Sequence, residues 1–225
     1  AAGLKDLGLA HGDIRTFVTP RRLALVVDDI PKRQPDLSEE KRGPRADAPN
    51  KAIEGFLRAN GLTRAECQER VTEKGTFLFS VVEKKGGETA SILPGLISEV
   101  IAKFPWQKSM RWGGGLTRWV RPLQRLMCLF GGQELAVETR NGIPCGNITS
   151  GHRFLAPETF TVTNFIEYER KLRNAYVILD REERKAIILE GVEKVAADEG
   201  LRLREDNSLL EEVAGLVEWP VIITG

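Results

Sequence analysis

Residues 103–133, KFPWQKSMRWGGGLTRWVRPLQRLMCLFGGQ, decide the fold class, because the element after their three glycines separates two architectures. A helix opening after Gly113, Gly114 and Gly115 would make them a phosphate-cradling turn of a nucleotide-binding fold. No Lys-Ser/Thr pair comes after them, however, and WVRPLQRLMCLF reads as a strand in which Pro122 marks an edge or a bulge. The expectation is a flexible loop beside a basic strand, able to close on an RNA backbone.

The same stretch holds six basic residues (Lys103, Lys108, Arg111, Arg118, Arg121, Arg125) interleaved with Trp106, Trp112 and Trp119, and no Asp or Glu. Cations with aromatics are the composition that grips nucleic acid, by neutralising phosphate and stacking on bases. A second reading stays open, in which Trp112 and Trp119 anchor a core and the arginines pair with carboxylates from elsewhere.

Outward from this stretch, the upstream chain offers a helical tail ending at Gly8 or Gly12, then two β-rich runs in IRTFVTPRRLALVVDDI with apolar alternation at Leu23, Leu25 and Val27. Residues 31–50, dense in Pro and charge, predict an exposed loop. Asn50 is expected to cap a helix that Gly61 ends, Thr63 and Glu66 form a capping box, and 71–83 reads as a hairpin. A helix with Leu93, Leu96, Ile97, Val100 and Ile101 on its apolar face precedes Pro105. Downstream, TFTV is a strand, Asn164 with Glu167 boxes a helix to about Asn174, and 176–179 reads as a buried strand. Asp180 with Glu183 opens the longest helix, with Ile188, Val192 and Val195 inward and Gly200 as its stop. Ser208 with Glu211 opens the last helix, and VIIT returns to sheet. Irregular alternation with hairpins predicts an α+β fold with a mixed, largely antiparallel sheet and flanking helices. Residues 1–160 form its strand-rich part with two helical insertions, and 161–225 its helix-rich part.

Charge narrows the function. With 33 Lys+Arg against 32 Asp+Glu, the formal charge of +1 excludes a surface that is positive all over, so any nucleic-acid contact is a patch. Three cysteines at irregular spacing match neither a metal knuckle nor a disulfide framework, which points to a reducing cytoplasm. No run approaches the roughly 18 apolar residues of a membrane span, and no signal-peptide core is present. An opening Ala and a close inside a strand-like run read as an internal piece of a longer polypeptide.

Enzyme motifs fare poorly. His11-Gly12 with KSMR at 108–111 superficially matches the class I aminoacyl-tRNA synthetase signatures, but His11 precedes a strand rather than a helix N-terminus. Cys145 and His152 could be a nucleophile and base, yet no orienting group or oxyanion hole is identifiable. Two histidines and scattered cysteines make a poor zinc site. The carboxylates of DREER at 180–184 and of 208–212 are explained by helix capping.

Seven motifs in order, TPRRLALVVDDI, EKRGP, KSMRWG, WVRPLQRLMCLFGG, GHRF, LDREER and LLEEVAGLVEWPV, resemble the N-terminal part of the β subunit of bacterial tetrameric glycyl-tRNA synthetases. The resemblance runs from about Leu9 to Gly225. It lacks that family's opening strand with its Glu-Glu-Leu-Pro signature and the later HD-like and anticodon-binding regions, and the RADAPN loop is shorter than usual. It implies an α2β2 ligase whose α subunit binds ATP, Mg and glycine, with no cofactor in this region. It also implies a module similar to the B3/B4 module of phenylalanyl-tRNA synthetase β chains, with no editing role assigned to it. Implied partners are the α subunit, tRNA for glycine, and a second β subunit or the remaining β domains, with no DNA and no membrane. The RNA-binding candidates are Lys108, Arg111, Trp112, Arg118, Arg121, Arg125 and Arg153; no residue is assigned a catalytic role.

Overall fold

The computed structural model describes residues 1–73, 75–112, 118–139 and 142–224. The glycine loop at 113–117 therefore lies outside the described residues.

After α1 (Ala2–Asp6), β1 (Ile14–Val18) and β2 (Leu23–Val27) form an antiparallel hairpin, in register from Ile14↔Val27 to Val18↔Leu23. Thr19 builds its turn: the hydroxyl oxygen accepts from the backbone N–H of Arg21 at 3.2 Å and of Arg22 at 2.9 Å, a bond that competes well with extended pairing. Phe17 and Ala24 face inward, while Leu23 and Leu25 lie on the outer face and are exposed.

Residues 31–50 correct the sequence reading. The expected loop contains β3 (Leu37–Arg45), which pairs with β5 (Gly75–Lys84), itself paired with β4 (Gln68–Thr72) in the order β3-β5-β4. As an edge strand β3 needs no apolar run, and its charges guard an open edge. Pro44 falls at the register shift between Arg42 and Arg45, where a missing N–H is tolerated. Arg42 lies 3.7 Å over the Phe77 ring, so even its charged positions cover apolar surface.

Helix α2 (Asn50–Asn60) reaches β3 through Gly43, where an added Cβ would lie 2.6 Å from the Phe56 ring. Asn50 is the first residue of α2 and makes no side-chain cap, unlike the expectation; Gly61 ends the helix at φ 65°, and the Thr63–Glu66 capping box forms. The turn between β4 and β5 falls at 73–75, with Lys74 outside the described residues. Helix α3 (Thr89–Ala102) ends before Pro105, as expected.

WVRPLQRLMCLF is not one strand. It divides among β7 (Arg118–Trp119), paired with β6 (Met110–Arg111); β8 (Leu126–Met127), parallel to β11 (Cys145–Gly146); and β9 (Leu129–Phe130), paired with β10 (Gln133–Glu134). Pro122 and its neighbours cross between them as coil. The segment nevertheless organises the interior. Leu126, Cys128 and Phe130 join Leu4, Leu9, Leu93, Leu135 and Val137 in one core, while Met127 and Leu129 join Val162, Tyr168, Leu172, Val177 and Leu179 in the other. Alternation along an extended chain thus makes 126–130 the wall between two cores.

β12 (Ile148–Ser150) pairs with β13 (Thr159–Thr161), followed by α4 (Phe165–Asn174), α5 (Arg181–Asp198) and α6 (Asn207–Leu216). Asn164 and Asp180 cap α4 and α5 as expected. Asp206 rather than Ser208 caps α6, accepting from the N–H of Leu209 at 2.9 Å. Residues 177–179 are buried and Tyr176 is exposed, and none of the four forms a strand: Tyr176 has φ 58°, and the Ile178 N–H donates to the Glu218 carbonyl at 2.8 Å. Apolar run length alone does not separate a buried coil from a strand. Residues 221–224 are likewise coil, with Val221 and Ile223 exposed, not the expected return to sheet. The class is α+β with mainly antiparallel pairs.

Candidate nucleic-acid interface

Four of the sequence motifs converge on one buried polar node. Arg184 of α5 is fully buried and donates from Nε to the Ala214 carbonyl at 3.0 Å, and from its terminal nitrogens to the carbonyls of Ile178 (2.7 Å), Leu179 (2.9 Å) and Val18 (2.9 Å). Burial lowers its pKa, opposed by the charge of Glu218, and the guanidinium stays charged because arginine does not deprotonate in proteins. Glu218 is 4% exposed; it pairs with Arg22 and accepts from the Thr19 hydroxyl at 2.7 Å. Arg22 also donates to the carbonyls of Ser150 (2.6 Å) and Gly151 (2.9 Å).

This node fastens TPRR, GHRF, LDREER and VEWP to one another. Sequence reasoning missed it, although a signal existed: Arg184 stands one helical step from Ile188, on the apolar stripe of α5.

Above the node, Arg121 donates to the Pro20 carbonyl at 3.1 Å and so docks the basic stretch onto the Thr19 turn. In the short β6–β7 hairpin, Met110 pairs with Trp119 and Arg111 pairs with Arg118. Trp119 is buried, with ring centroids 4.8 Å from Trp106 and 5.2 Å from Phe104. That aromatic trio is a core anchor, as the alternative reading held for Trp119; Trp112 is half-buried. With Trp119 turned inward, the hairpin presents Arg111 and Arg118 as exposed cross-strand partners. Like charges directly opposite one another destabilise a ladder.

Lys108, Arg121, Arg125 and Arg153 are exposed as well. Among the described residues, none of these four, nor Arg111 or Arg118, forms an ion pair with a carboxylate. Arg118 donates from Nε to the Ser109 hydroxyl at 3.1 Å, which orients it and leaves its charge unneutralised. The structure brings Arg111 to Arg118, and ties Arg121 and the GHRF loop to the same turn. No described contact joins Lys108 or Arg125 to the others.

The GHRF loop adds a residue that sequence reading left out. Phe154 is 78% exposed, with the Arg153 guanidinium 5.3 Å from its ring centroid. An exposed ring with a cation beside it has the form of a surface on which a base can stack. Gly151 sets the loop down tightly: an added Cβ would lie 2.4 Å from the Ala156 carbonyl oxygen. His152 Nδ1 accepts from the N–H groups of Phe154 (3.3 Å) and Leu155 (3.2 Å), so its lone pair serves the loop. Cys145 donates from Sγ to the Leu135 carbonyl at 3.2 Å. The two are engaged separately, and no described contact assembles a nucleophile and base.

Among the described residues no group of three His, Cys, Asp or Glu is placed to hold a metal ion, and no helix is long and apolar enough to cross a membrane.

Comparison with known proteins places these motifs among the aminoacyl-tRNA synthetases. The model of the glycyl-tRNA synthetase beta subunit family matches residues 1–225. The chain is 52% identical to the glycine–tRNA ligase beta subunit of Rhodospirillum centenum, over 99% of this chain and 34% of that relative. It is 48% identical to that of Cereibacter sphaeroides, over 99% of this chain and 32% of the relative, and 45% to that of Ruegeria sp., over 99% and 33%. The chain belongs to the glycyl-tRNA synthetase beta subunit family, and it spans about a third of the length of these curated relatives.

Proposed function

We propose that this chain is a noncatalytic region of a glycine–tRNA ligase β subunit, which supports ATP-dependent attachment of glycine to its tRNA by holding the tRNA and the subunit assembly. On this reading it works in the cytoplasm within an α2β2 enzyme whose α subunit carries ATP and Mg. The observation that carries the reading is the Arg111–Arg118 pair, two exposed arginines that are direct cross-strand partners and form no ion pair among the described residues. A phosphate bridging them would turn a repulsive pair into a two-armed clamp. Arg121 extends the track, Arg153 and Phe154 offer a base platform, and Lys108, Trp112 and Arg125 flank it.

The test is tRNA binding to the assembled enzyme across a salt series. Replacing Arg111 and Arg118 by Gln should weaken tRNA binding and lower the salt slope by about one unit per lost phosphate contact. Formation of glycyl adenylate, which needs no tRNA contact, should be unchanged. An unaltered slope would leave the alternative, a purely structural scaffold for the α subunit or the remaining β domains.

A further inference from the structure

The three-stranded sheet carries a second cluster of arginine and aromatic side chains, built from residues outside the basic stretch. Side chains alternate along its central strand β5, so Leu78 and Ser80 point to one face and Phe77 and Phe79 to the other. Leu78 and Ser80 are fully buried. Phe77 and Phe79 are half-buried and belong to neither hydrophobic core. Their neighbours across the ladder are polar and exposed: Phe79 stands between Arg42 and Gln68, and Phe77 between Arg45 and Arg70. From the two edge strands, guanidiniums reach diagonally over the rings, Arg42 at 3.7 Å from the Phe77 centroid and Arg70 at 5.2 Å from that of Phe79. Arg70 is fixed, paired with Glu40 at 2.8 Å and donating to the Gln68 amide oxygen at 2.7 Å. Arg42 forms no ion pair among the described residues.

We propose that this face is a further RNA contact, on which two neighbouring unpaired nucleotides lie, one base on Phe77 and the next on Phe79. Residues two apart on a strand are about 6.6 Å apart, roughly twice the 3.4 Å step of stacked bases. The two bases are therefore splayed rather than stacked on each other, which a loop or a single-stranded end allows and a duplex does not. Arg42 leaves the Phe77 ring to the first base and turns to a phosphate, while Arg70, held by Glu40 and Gln68, stays as the wall beside the second. Charge selects RNA over an apolar protein surface, because such a surface would bury Arg42 unpaired, whereas each nucleotide brings a phosphate together with its ring. This inference rests on the reading of the chain as a tRNA-holding region and is independent of the Arg111–Arg118 pair.

The test uses the assembled enzyme carrying Phe77→Leu with Phe79→Leu, which keeps apolar cover on β5 and removes the flat rings, with binding of glycine tRNA followed across a salt series. Affinity should fall by about tenfold or more with the salt slope kept, because stacking releases no counterions. That signature separates this contact from the basic hairpin, whose Arg111→Gln, Arg118→Gln variant should lower the slope. Arg42→Gln, at an exposed position, should lower the slope by about one unit without lowering the melting temperature. Ultraviolet crosslinks from Phe77 or Phe79 in the parent complex should map to unpaired nucleotides. Unchanged tRNA affinity in the leucine variant overturns the proposal, and so does an unchanged slope in Arg42→Gln, whatever the leucines do to folding. Crosslinks confined to paired nucleotides overturn it as well. Weakened subunit assembly, with tRNA affinity of the assembled fraction intact, would make the face a protein contact and overturn it likewise. Loss of affinity in the leucine variant beside superimposable salt plots for the hairpin variant would uphold this surface and remove the hairpin from RNA binding.

Discussion

At the scale of the residue, Arg184 does what an apolar side chain at its position could not: it closes four backbone carbonyls from three segments of the chain. Removing a buried, hydrogen-bonded charge while its surroundings stay polar costs about 3–5 kcal/mol. Arg184→Ala should therefore lower the unfolding free energy by that order in urea titration. Arg184→Lys should recover only part of it, because an ammonium cannot span the guanidinium's fork of acceptors. A loss below about 1 kcal/mol would contradict the role given to the node. Glu167 makes a prediction in pH. Its carboxylate pKa is lowered to about 2, first by the hydrogen bond from Lys171 and then by those from the Thr163 hydroxyl and N–H. The folded value lies below the unfolded one of about 4.3, so the stabilisation is complete above that range and is lost as pH falls toward 2. Melting temperatures between pH 5 and 2 should fall less steeply for Glu167→Gln than for the parent protein; identical slopes would show that the bonds from Thr163 and Lys171 to Glu167 do not form in solution.

At the scale of the element, the fit of α2 against β3 depends on Gly43 and Phe56. Gly43→Ala puts a Cβ against the ring and should destabilise the fold by about 1–3 kcal/mol, the cost of overpacking a well-filled contact. Phe56→Leu in the same chain should return part of that loss in thermal melts; an additive double variant would show that the two residues do not touch. Strand β3 also marks how far sequence reading reaches. Helices with local signatures are legible: the Gly61 stop, the Thr63–Glu66 box and the Asp180 cap each act over a few residues and form as expected. Elements that exist only through a distant partner are not. β3 carries charge because β5 supplies the apolar face, and 176–179 resembles a strand because burial in a coil has the same composition. WVRPLQRLMCLF reads as one strand because its period is right, although its three strand segments pair with three different neighbours. For the candidate site, the basic residues are visible as a departure from a neutral chain. Their arrangement is not, since the opposition of Arg111 and Arg118 depends on a hairpin register and Phe154 on the tight seat of Gly151.

At the scale of the whole molecule, a chain with a formal charge of +1 docks its basic stretch, through the Arg121 bond to the Pro20 carbonyl, onto a node assembled from four sequence motifs. The node gives the rigidity, and the hairpin and the GHRF loop give the reach. This division predicts that surface and node variants separate. Phe154→Ala, in a ring that is largely exposed, should leave stability within about 0.5 kcal/mol of the parent protein. It should also reduce tRNA affinity by about 1–3 kcal/mol if a base stacks on it; equal affinity would remove the GHRF loop from the interface. The measurement closest to the central claim is the salt dependence of tRNA binding by the assembled enzyme, for the parent and for Arg111→Gln with Arg118→Gln. A shallower slope in the variant, by about one unit per phosphate released, with unchanged melting and unchanged adenylate formation, is the predicted result. Superimposable salt plots for the two enzymes would contradict it and would leave the basic hairpin with no part in holding RNA.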